Sequence, residues 1–308
     1  MILLIAGWAL LLLPLSLANY AVSGWRSPSI IAMLVIGFCS LVGFGIHERF
    51  FARKPFLPFH YLTDRTVIGS CLCAATYFVS FYCWDLYFLS FLQVVYNLSI
   101  TDAGYIYRIY SIGSCFWGIV VGLLIPATGR VKWLACCAVP LMLLGTGLMI
   151  YFRQAHSPLG FVIMCQVFIA FGGGTLVICQ EIAILAVVGA DNIAVALALQ
   201  ALFTAIGGSI GTSISGAIWT NTLPKALEQH LPADLKSQAL DIYADITVQL
   251  GYEWGSPGRE GIIEAYSITQ RYLTIAATGV LILNFLWVFM WRNIKVNDFK
   301  KPRGTKII

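Results

Sequence analysis

Three ionisable side chains stand inside long apolar stretches, where a charge is costly and is usually kept for a function. They are Asp85, Arg108 and Glu181. A carboxylate in such a stretch can take up and release a proton, so Asp85 and Glu181 are candidate proton-coupling residues. Arg108 falls level with Asp85 on the neighbouring stretch, so a structural ion pair between them is the favoured alternative. Glu181 falls near the end of its stretch, where a solvated interfacial acid is the alternative.

Aromatic side chains surround Asp85. One predicted helical face collects residues at spacings of three and four: Phe78, Phe81, Asp85, Phe88 and Leu92. Further aromatic residues lie beside it: Tyr77, Tyr82, Trp84 and Tyr87. This segment could form the wall of a large, partly apolar binding cavity. An interfacial belt of Trp and Tyr is the alternative, and the pattern leaves both open.

The histidines and cysteines do not have the spacing of a metal site. His47, His60, His156 and His230 are scattered along the chain, and no Cys or His pair has ligand spacing in a loop. All nine cysteines lie in apolar runs, where we expect buried small side chains rather than disulfides. We therefore predict no metal ion, no cofactor and no catalytic residue.

The elements that position these residues are membrane-spanning helices. Apolar residues make up 59% of the chain and charged residues 11%, and several runs reach the roughly 20 residues that cross a bilayer. The runs are continuously apolar rather than alternating, which favours helices over a β-barrel. Eight spans are predicted, near 2–18, 29–46, 67–95, 104–126, 133–152, 159–188, 193–220 and 272–291.

Basic residues predict the orientation of these spans, because short cytoplasmic loops are enriched in Lys and Arg. They cluster after spans 2 and 4 and in the tail, so these segments and both termini are assigned to the cytoplasm. The formal net charge of +5 reflects this topology, and no basic face indicates binding of nucleic acid. The long connection 221–271 falls outside, and Leu235, Ala239, Ile242, Ile246 and Leu250 predict one amphipathic helix within it.

That connection is expected to form a functional external cap. Gly255-Ser256-Pro257-Gly258 predicts a turn in which Ser256 caps the next helix and Pro257 is its first residue. The cap adds aromatic residues to the candidate site. The candidate substrate-binding residues are Phe81, Trp84, Asp85, Tyr87, Phe88, Arg108, Gln166, Tyr252 and Trp254. For Gln166, a hydrogen bond between helices is the favoured alternative.

Five segments carry a resemblance to a known family. Gly122-Leu-Leu-Ile-Pro-Ala-Thr-Gly129-Arg130 resembles the cytoplasmic loop signature of the major facilitator superfamily, with Gly122, Gly129 and Arg130 matching and Pro126 and Ala127 replacing the usual Asp and Arg. Four more segments are similar to fungal siderophore-iron transporters: Phe81-Tyr-Cys-Trp-Asp85-Leu-Tyr-Phe, Leu92-Gln-Val-Val-Tyr-Asn-Leu-Ser-Ile100, Ile169-Ala-Phe-Gly-Gly-Gly-Thr-Leu-Val-Ile-Cys179 and Ala217-Ile-Trp-Thr-Asn-Thr-Leu-Pro-Lys-Ala226. The likeness covers nearly the whole chain.

The resemblance implies an all-α membrane protein of the fourteen-span type. Residues 1–65 would be two linker transmembrane helices and a cytoplasmic loop. Residues 66–308 would be the C-terminal six-helix bundle, with the external loop 221–271 and a basic cytoplasmic tail over 292–308. The implied activity is import of ferric hydroxamate siderophores by proton symport. Export of drugs or metabolites by a fourteen-span proton antiporter is the alternative, and no enzyme motif supports a membrane enzyme.

A transporter of this class binds its substrate between two six-helix halves, and this sequence supplies one. The expected partners are therefore a ferric siderophore as substrate, protons, the lipid bilayer and a missing N-terminal six-helix half. The expected location is a plasma, endosomal or vacuolar membrane, with the chain being a fragment, a truncated gene product or half of a split transporter.

Overall fold

A computed structural model describes residues 2–17, 24–51, 59–188 and 192–294, which are almost entirely helical. In chain order the helices are α1 (Ile2–Leu17), α2 (Pro28–Phe50), α3 (Phe59–Leu62), α4 (Arg65–Asp85), α5 (Phe88–Tyr96), α6 (Ile100–Thr128), α7 (Val131–Phe152), α8 (Leu159–Val188), α9 (Ile193–His230), α10 (Ala239–Ala244), α11 (Ile246–Gly251), α12 (Pro257–Leu281) and α13 (Leu283–Met290). This order agrees with the predicted all-α membrane fold.

Seven helical stretches in the described residues are long and apolar enough to cross a membrane. Two of them are composite, because α4 continues into α5 over Arg65–Tyr96 and α12 continues into α13 over Pro257–Met290. The remaining predicted span, the first one at 2–18, corresponds to α1, an apolar helix of 16 residues. At about 1.5 Å per residue α1 falls short of a bilayer core of about 30 Å.

Local sequence signals account for where several helices begin and end. Asp64 caps α4 by accepting a hydrogen bond from the backbone N–H of Thr66 at 2.7 Å. Ser256 does the same for α12, accepting from the N–H of Arg259 at 3.2 Å, and Pro257 is the first helical residue, as predicted. Gly129 ends α6 in a left-handed conformation with φ of 67°.

The connection 221–271 was expected to leave the helix directly after the apolar run that ends at residue 220. Helix α9 instead continues to His230, whereas α12 begins at Pro257 as predicted, so the segment between these two helices covers residues 231–256. The buried side chains of Leu223, Ala226 and Leu227 continue the packed face of α9 beyond its apolar run, which explains the longer helix.

The single amphipathic helix predicted inside this loop is also wrong. Two short helices, α10 and α11, replace it. They are separated at Asp245, whose extended backbone interrupts the helix and whose carboxylate accepts from the N–H of Thr247 at 2.8 Å. An Asp that bonds its neighbouring backbone favours a helix start over a helix interior, which is the physical reason for the break.

Helix α4 forms the centre of the bundle and contacts α8, α9, α12 and α13. Small residues permit the closest approach: a Cβ on Gly207 of α9 would lie 2.2 Å from the carbonyl oxygen of Ala75, and one on Gly211 would lie 2.7 Å from that of Val79. Helices α1 and α2 pack against each other, and α1 also contacts α9.

The connections gather at two opposite ends of the bundle. At one end, Arg292 forms an ion pair of 2.9 Å with Asp64. There Lys132 donates to the carbonyl oxygens of Phe289 and Trp291, at 2.8 and 2.6 Å, and so caps α13. At the other end lie α5, the α7–α8 connection and residues 231–256. This grouping matches the predicted alternation of the loops. The tail beyond residue 294 lies outside the described residues.

Candidate functional site

Three adjoining cavities line one face of the bundle, formed by α4, α6, α8 and α9. The α4–α9 cavity, of about 290 Å³, is lined by Phe78, Tyr82, Thr204, Ala205, Gly208, Ser209 and Thr212. The α6–α8 cavity, of about 490 Å³, is lined by Tyr77, Tyr110, Ser114, Cys115, Gly118, Ile119, Gly174, Val177 and Ile178. The α8–α9 cavity, of about 320 Å³, is lined by Phe78, Val177, Gln180, Glu181, Leu197, Gln200, Ala201 and Thr204. Shared lining residues make these cavities one continuous surface, here called the four-helix face.

The chemistry of the four-helix face is that of hydroxyl groups, amides and apolar side chains. Among the described residues that line it, Glu181 is the single charged side chain and none is basic. Such a surface suits a large ligand that is uncharged or carries positive charge, and that uses hydrogen bonds together with apolar contact.

Three consecutive glycines on α8 let two helices approach this face. The tyrosine hydroxyls of Tyr77 and Tyr110 are hydrogen bonded to each other. A Cβ on Gly173 would lie 2.7 Å from the Tyr77 hydroxyl, and one on Gly174 would lie 2.9 Å from the carbonyl oxygen of Ser114. Helix α8 runs unbroken through these glycines. They therefore serve close packing and do not unwind the helix.

Asp85 lies at the end of α4 and is 7% exposed. The hydroxyl of Tyr107 donates to its Oδ2 at 2.7 Å. The ion pair between Asp85 and Arg108 considered from the sequence is not among those formed by the described residues. Arg108 is exposed, and its guanidinium lies 5.6 Å from the ring centroid of Tyr107. Tyr107 therefore contacts both the acid and the base.

The span predicted over 67–95 is present as the stretch Arg65–Tyr96, but its helix is interrupted at Leu86 and Tyr87. Side chains from other parts of the chain donate to the backbone at this interruption. The side chain of Arg153 is fully buried and its Nη1 donates to the carbonyl oxygen of Trp84 at 2.7 Å. Gln270 donates to the carbonyl oxygen of Tyr87 at 3.1 Å. A helix end leaves carbonyl groups without intrahelical partners, and Arg153 satisfies that of Trp84. The carbonyl of Tyr87 also accepts from the N–H of Phe91 at 3.1 Å, as the start of α5.

Arg153 is the residue of this site that sequence reasoning missed. Its guanidinium also lies over the rings of Phe88 and Phe91, with centroids at 4.2 and 5.3 Å. Burial lowers the pKa of Arg153 to about 9, so the group stays charged at neutral pH. In the sequence, Arg153 reads as an ordinary basic residue in a short loop, and nothing nearby signals that it turns inward.

The predicted aromatic wall is mostly a packed interior. Trp84 and Phe88 are 1% and 0% exposed, so a ligand on the four-helix face does not reach them. Tyr87 stacks on Trp219 with ring centroids 3.9 Å apart. Phe81 is half-buried and contacts Tyr110, which places it directly behind the face. Of the predicted face and its neighbours, Phe78 and Tyr82 do line the cavities.

The remaining predicted residues are dispersed. Gln166 is fully buried and donates to the carbonyl oxygen of Ile106 at 3.0 Å, which is the helix-to-helix hydrogen bond considered from the sequence. Tyr252 packs against Gly258. Trp254 is 53% exposed and borders a separate cavity of about 190 Å³ beside residues 156 and 260. Glu181 lines the four-helix face.

The residues of the loop signature form the end of one helix and the start of the next: Gly129 is the C-cap of α6, and Arg130 precedes α7. The backbone N–H of Gly129 donates to the carbonyl oxygen of Ile125 at 2.9 Å, and Arg130 is exposed. Gly122 has open space beside it, so it is not needed for close packing.

The described residues include no cluster of three or more His, Cys, Asp or Glu that could hold a metal ion. Five of the nine cysteines are buried and all are free, whereas Cys39, Cys115 and Cys137 are exposed.

Comparison with known proteins finds similar sequences over nearly the whole chain. The chain is 49% identical over 307 residues to "MFS siderochrome iron transporter 1" of Ajellomyces capsulatus, covering 99% of this chain and 52% of that protein. It is 44% identical to "Siderophore iron transporter mirB" of Emericella nidulans, covering 98% of this chain and 50% of that protein. It is 43% identical to "Siderophore iron transporter 1" of Schizosaccharomyces pombe, covering 91% and 46%. The chain thus spans about half the length of the curated relatives it matches.

Solved structures show the same fold at low sequence identity. A bacterial homologue of the human lysosomal transporter Spinster, in an inward-facing and occupied conformation, aligns with a TM-score of 0.53 and 14% identity, covering 92% of this chain and 66% of that one. Its inward-facing unoccupied form aligns with a TM-score of 0.52. No protein-family model matches the chain. The relatives are named as transporters, which agrees with a protein that is not an enzyme.

Proposed function

Since the chain belongs to the fungal siderophore-iron transporters of the major facilitator superfamily, we propose that it supplies the C-terminal part of a proton-coupled importer of ferric hydroxamate siderophores. The observation that carries this proposal is the 49% identity over 99% of the chain. The relatives are named for iron transport, which favours import of a ferric complex over export of drugs or metabolites.

The chemistry of the four-helix face supports this class of substrate. In a ferric trihydroxamate, three hydroxamate anions neutralise and coordinate the iron, so the protein meets the outside of a large neutral complex. The hydroxyls of Tyr82, Tyr110 and Thr212 can bond its carbonyl and hydroxamate oxygens, while Phe78 offers apolar contact. A triply charged complex would require basic side chains, and none lines this face in the described residues.

Residues beside the face are proposed to support the substrate and couple it to protons. Asp85 is a nearly buried acid whose one observed hydrogen bond comes from Tyr107, and we assign it the proton-coupling role. Arg108 is exposed on the same helix as Tyr110, at the end where the cap lies, and is assigned to the substrate mouth. Trp84 and Phe88 are assigned a packing role, in which their buried rings support α4 behind the residues that line the cavities.

The opposite wall of the cavity is proposed to come from outside this chain. The relatives are about twice as long, and a second six-helix half facing α4, α6, α8 and α9 would enclose the substrate. The end that carries Lys132 and Arg292 is proposed to face the cytoplasm, because basic residues concentrate there. The membrane is proposed to be a plasma, endosomal or vacuolar membrane.

Uptake of an iron-55-labelled ferric trihydroxamate tests the proposed function. The gene that encodes this chain is expressed in iron-starved yeast cells that lack their own siderophore transporters. We expect uptake that rises at acidic external pH and is abolished by a protonophore. Asp85→Asn should abolish the pH dependence, while Asp241→Asn, on the exposed side of α10, should retain it. Uptake no greater than in cells without the gene would refute import.

A further inference from the structure

Glu181 is the one acid on the four-helix face, and its surroundings are unusual. It lines the α8–α9 cavity together with two amide side chains, Gln180 and Gln200, and the hydroxyl group of Thr204. Its side chain is exposed and takes part in none of the ion pairs found between described residues. This end of the face therefore carries an uncompensated negative charge surrounded by polar oxygens.

The two amides are themselves incompletely bonded. Gln180 is 1% exposed and Gln200 is 5% exposed, and the Oε1 atom of each is buried with no hydrogen-bond partner. A buried acceptor without a donor destabilises the folded protein, so a donor that reaches this cavity would stabilise both amides. A ligand that brings N–H donors into this cavity would satisfy them.

We propose that Glu181, Gln180 and Gln200 form a subsite for a primary ammonium group carried by the substrate. An ammonium group has one positive charge and three N–H donors, which match one carboxylate and two amide oxygens. Hydroxamates built on diamino acids carry such a group when their second amine is free. The inference rests on the proposed function and adds specificity to it: complexes with free amines are preferred over their N-acetylated forms.

The shape of the cavity favours an organic ammonium over a free metal cation. Its volume of about 320 Å³ exceeds what a single bare ion needs, and Phe78, Val177 and Leu197 provide apolar surface. An alkyl stem can lie against that surface while its charged end reaches the oxygens. N-acetylation removes the charge and two of the three donors, so the same cavity loses its electrostatic attraction and leaves the acceptors unpaired.

The test measures equilibrium binding of two ferric complexes to the purified product of the gene that encodes this chain, held in lipid nanodiscs. One complex is a ferric trihydroxamate with free primary amines, and the other is the same complex after N-acetylation. For the unaltered protein we expect the free-amine complex to bind about tenfold more tightly, as a charge-assisted hydrogen bond provides. Glu181→Gln should bring the ratio of the two dissociation constants close to one, and Glu181→Asp should keep most of it.

Glu228→Gln is the matched control, because Glu228 is an exposed acid on α9 that does not line the cavity, and it should retain the tenfold ratio. A ratio near one for the unaltered protein would overturn the subsite while leaving siderophore binding in place. Equal weakening of both complexes by Glu181→Gln would also overturn it. If the binding of both complexes depends on sodium and Glu181→Gln removes that dependence, the site belongs to a free ion and the proposal is overturned. Failure of both complexes to bind would refute the proposed function itself.

Discussion

Replacement of Gly207 by Ala tests the packing on which the four-helix face depends. A Cβ at this position would lie 2.2 Å from the carbonyl oxygen of Ala75 and 2.7 Å from its Cα. Ordinary contact begins at 3.4 Å, so α9 and α4 would have to part by about 1 Å. Both obstructing atoms belong to the backbone and cannot rotate away. Overpacking in a well-packed interior costs about 1–3 kcal/mol, and a clash between two backbones falls at the upper end.

Thermal unfolding of the purified protein in detergent measures this cost. A loss of about 3 kcal/mol should lower the melting temperature by several degrees. Gly147→Ala is the matched control, because Gly147 lies inside α7 with nothing within 4 Å of the added Cβ. Ala is also the better helix former, so that variant should be neutral or slightly more stable. Equal melting temperatures for Gly207→Ala and the unaltered protein would refute the close packing of α4 and α9.

Three further changes test the contacts at the two ends of the bundle. Arg153→Met should destabilise the protein by about 1–3 kcal/mol in the same assay, because it leaves the carbonyl of Trp84 buried without a donor; an unchanged melting temperature would contradict the stabilising role of this hydrogen bond. Lys132→Met should cost about 1 kcal/mol through loss of the cap on α13, and no cost would contradict that contact. The hydrogen bond from Thr247 holds the pKa of Asp245 below its usual value, so its cap on α11 is retained above about pH 4 and lost as the pH falls through that lowered value. The amides of α11 should therefore lose protection from hydrogen exchange below about pH 4. In the Asp245→Asn variant, which has no carboxylate to titrate, this loss of protection should be absent. Protection in the unaltered protein that is independent of pH would refute the cap.

The fold was largely predictable because its main signals are local. Apolar run length identified the spans, and capping residues such as Ser256 and Pro257 located the start of α12. The predicted end of α9 was wrong because an amphipathic part of the helix continues beyond the apolar run, after residue 220. Hydropathy detects the part of a helix that meets lipid, and it underestimates a helix that extends into water or against a cap.

The candidate site was less predictable because it depends on which neighbour each helix face meets. The predicted aromatic face of α4 was expected to meet substrate as a whole, yet Phe78 and the adjoining Tyr82 line the cavities, whereas Phe88 is fully buried against protein. A central helix such as α4 is contacted on several sides, so periodicity cannot distinguish a face against protein from a face against a cavity. The break after Asp85 depends on Arg153, which is distant in the sequence.

Protection of Cys115 from a thiol reagent tests most directly whether the four-helix face binds substrate. Cys115 is exposed and lines the α6–α8 cavity, whereas Cys137 is exposed on α7 and lines none of the three cavities. The purified product of the gene is treated with N-ethylmaleimide, and labelling of each cysteine is followed by mass spectrometry. We predict that a saturating ferric trihydroxamate slows labelling of Cys115 several-fold and leaves Cys137 unchanged. Labelling of Cys115 at the same rate with and without the ferric complex would contradict the account.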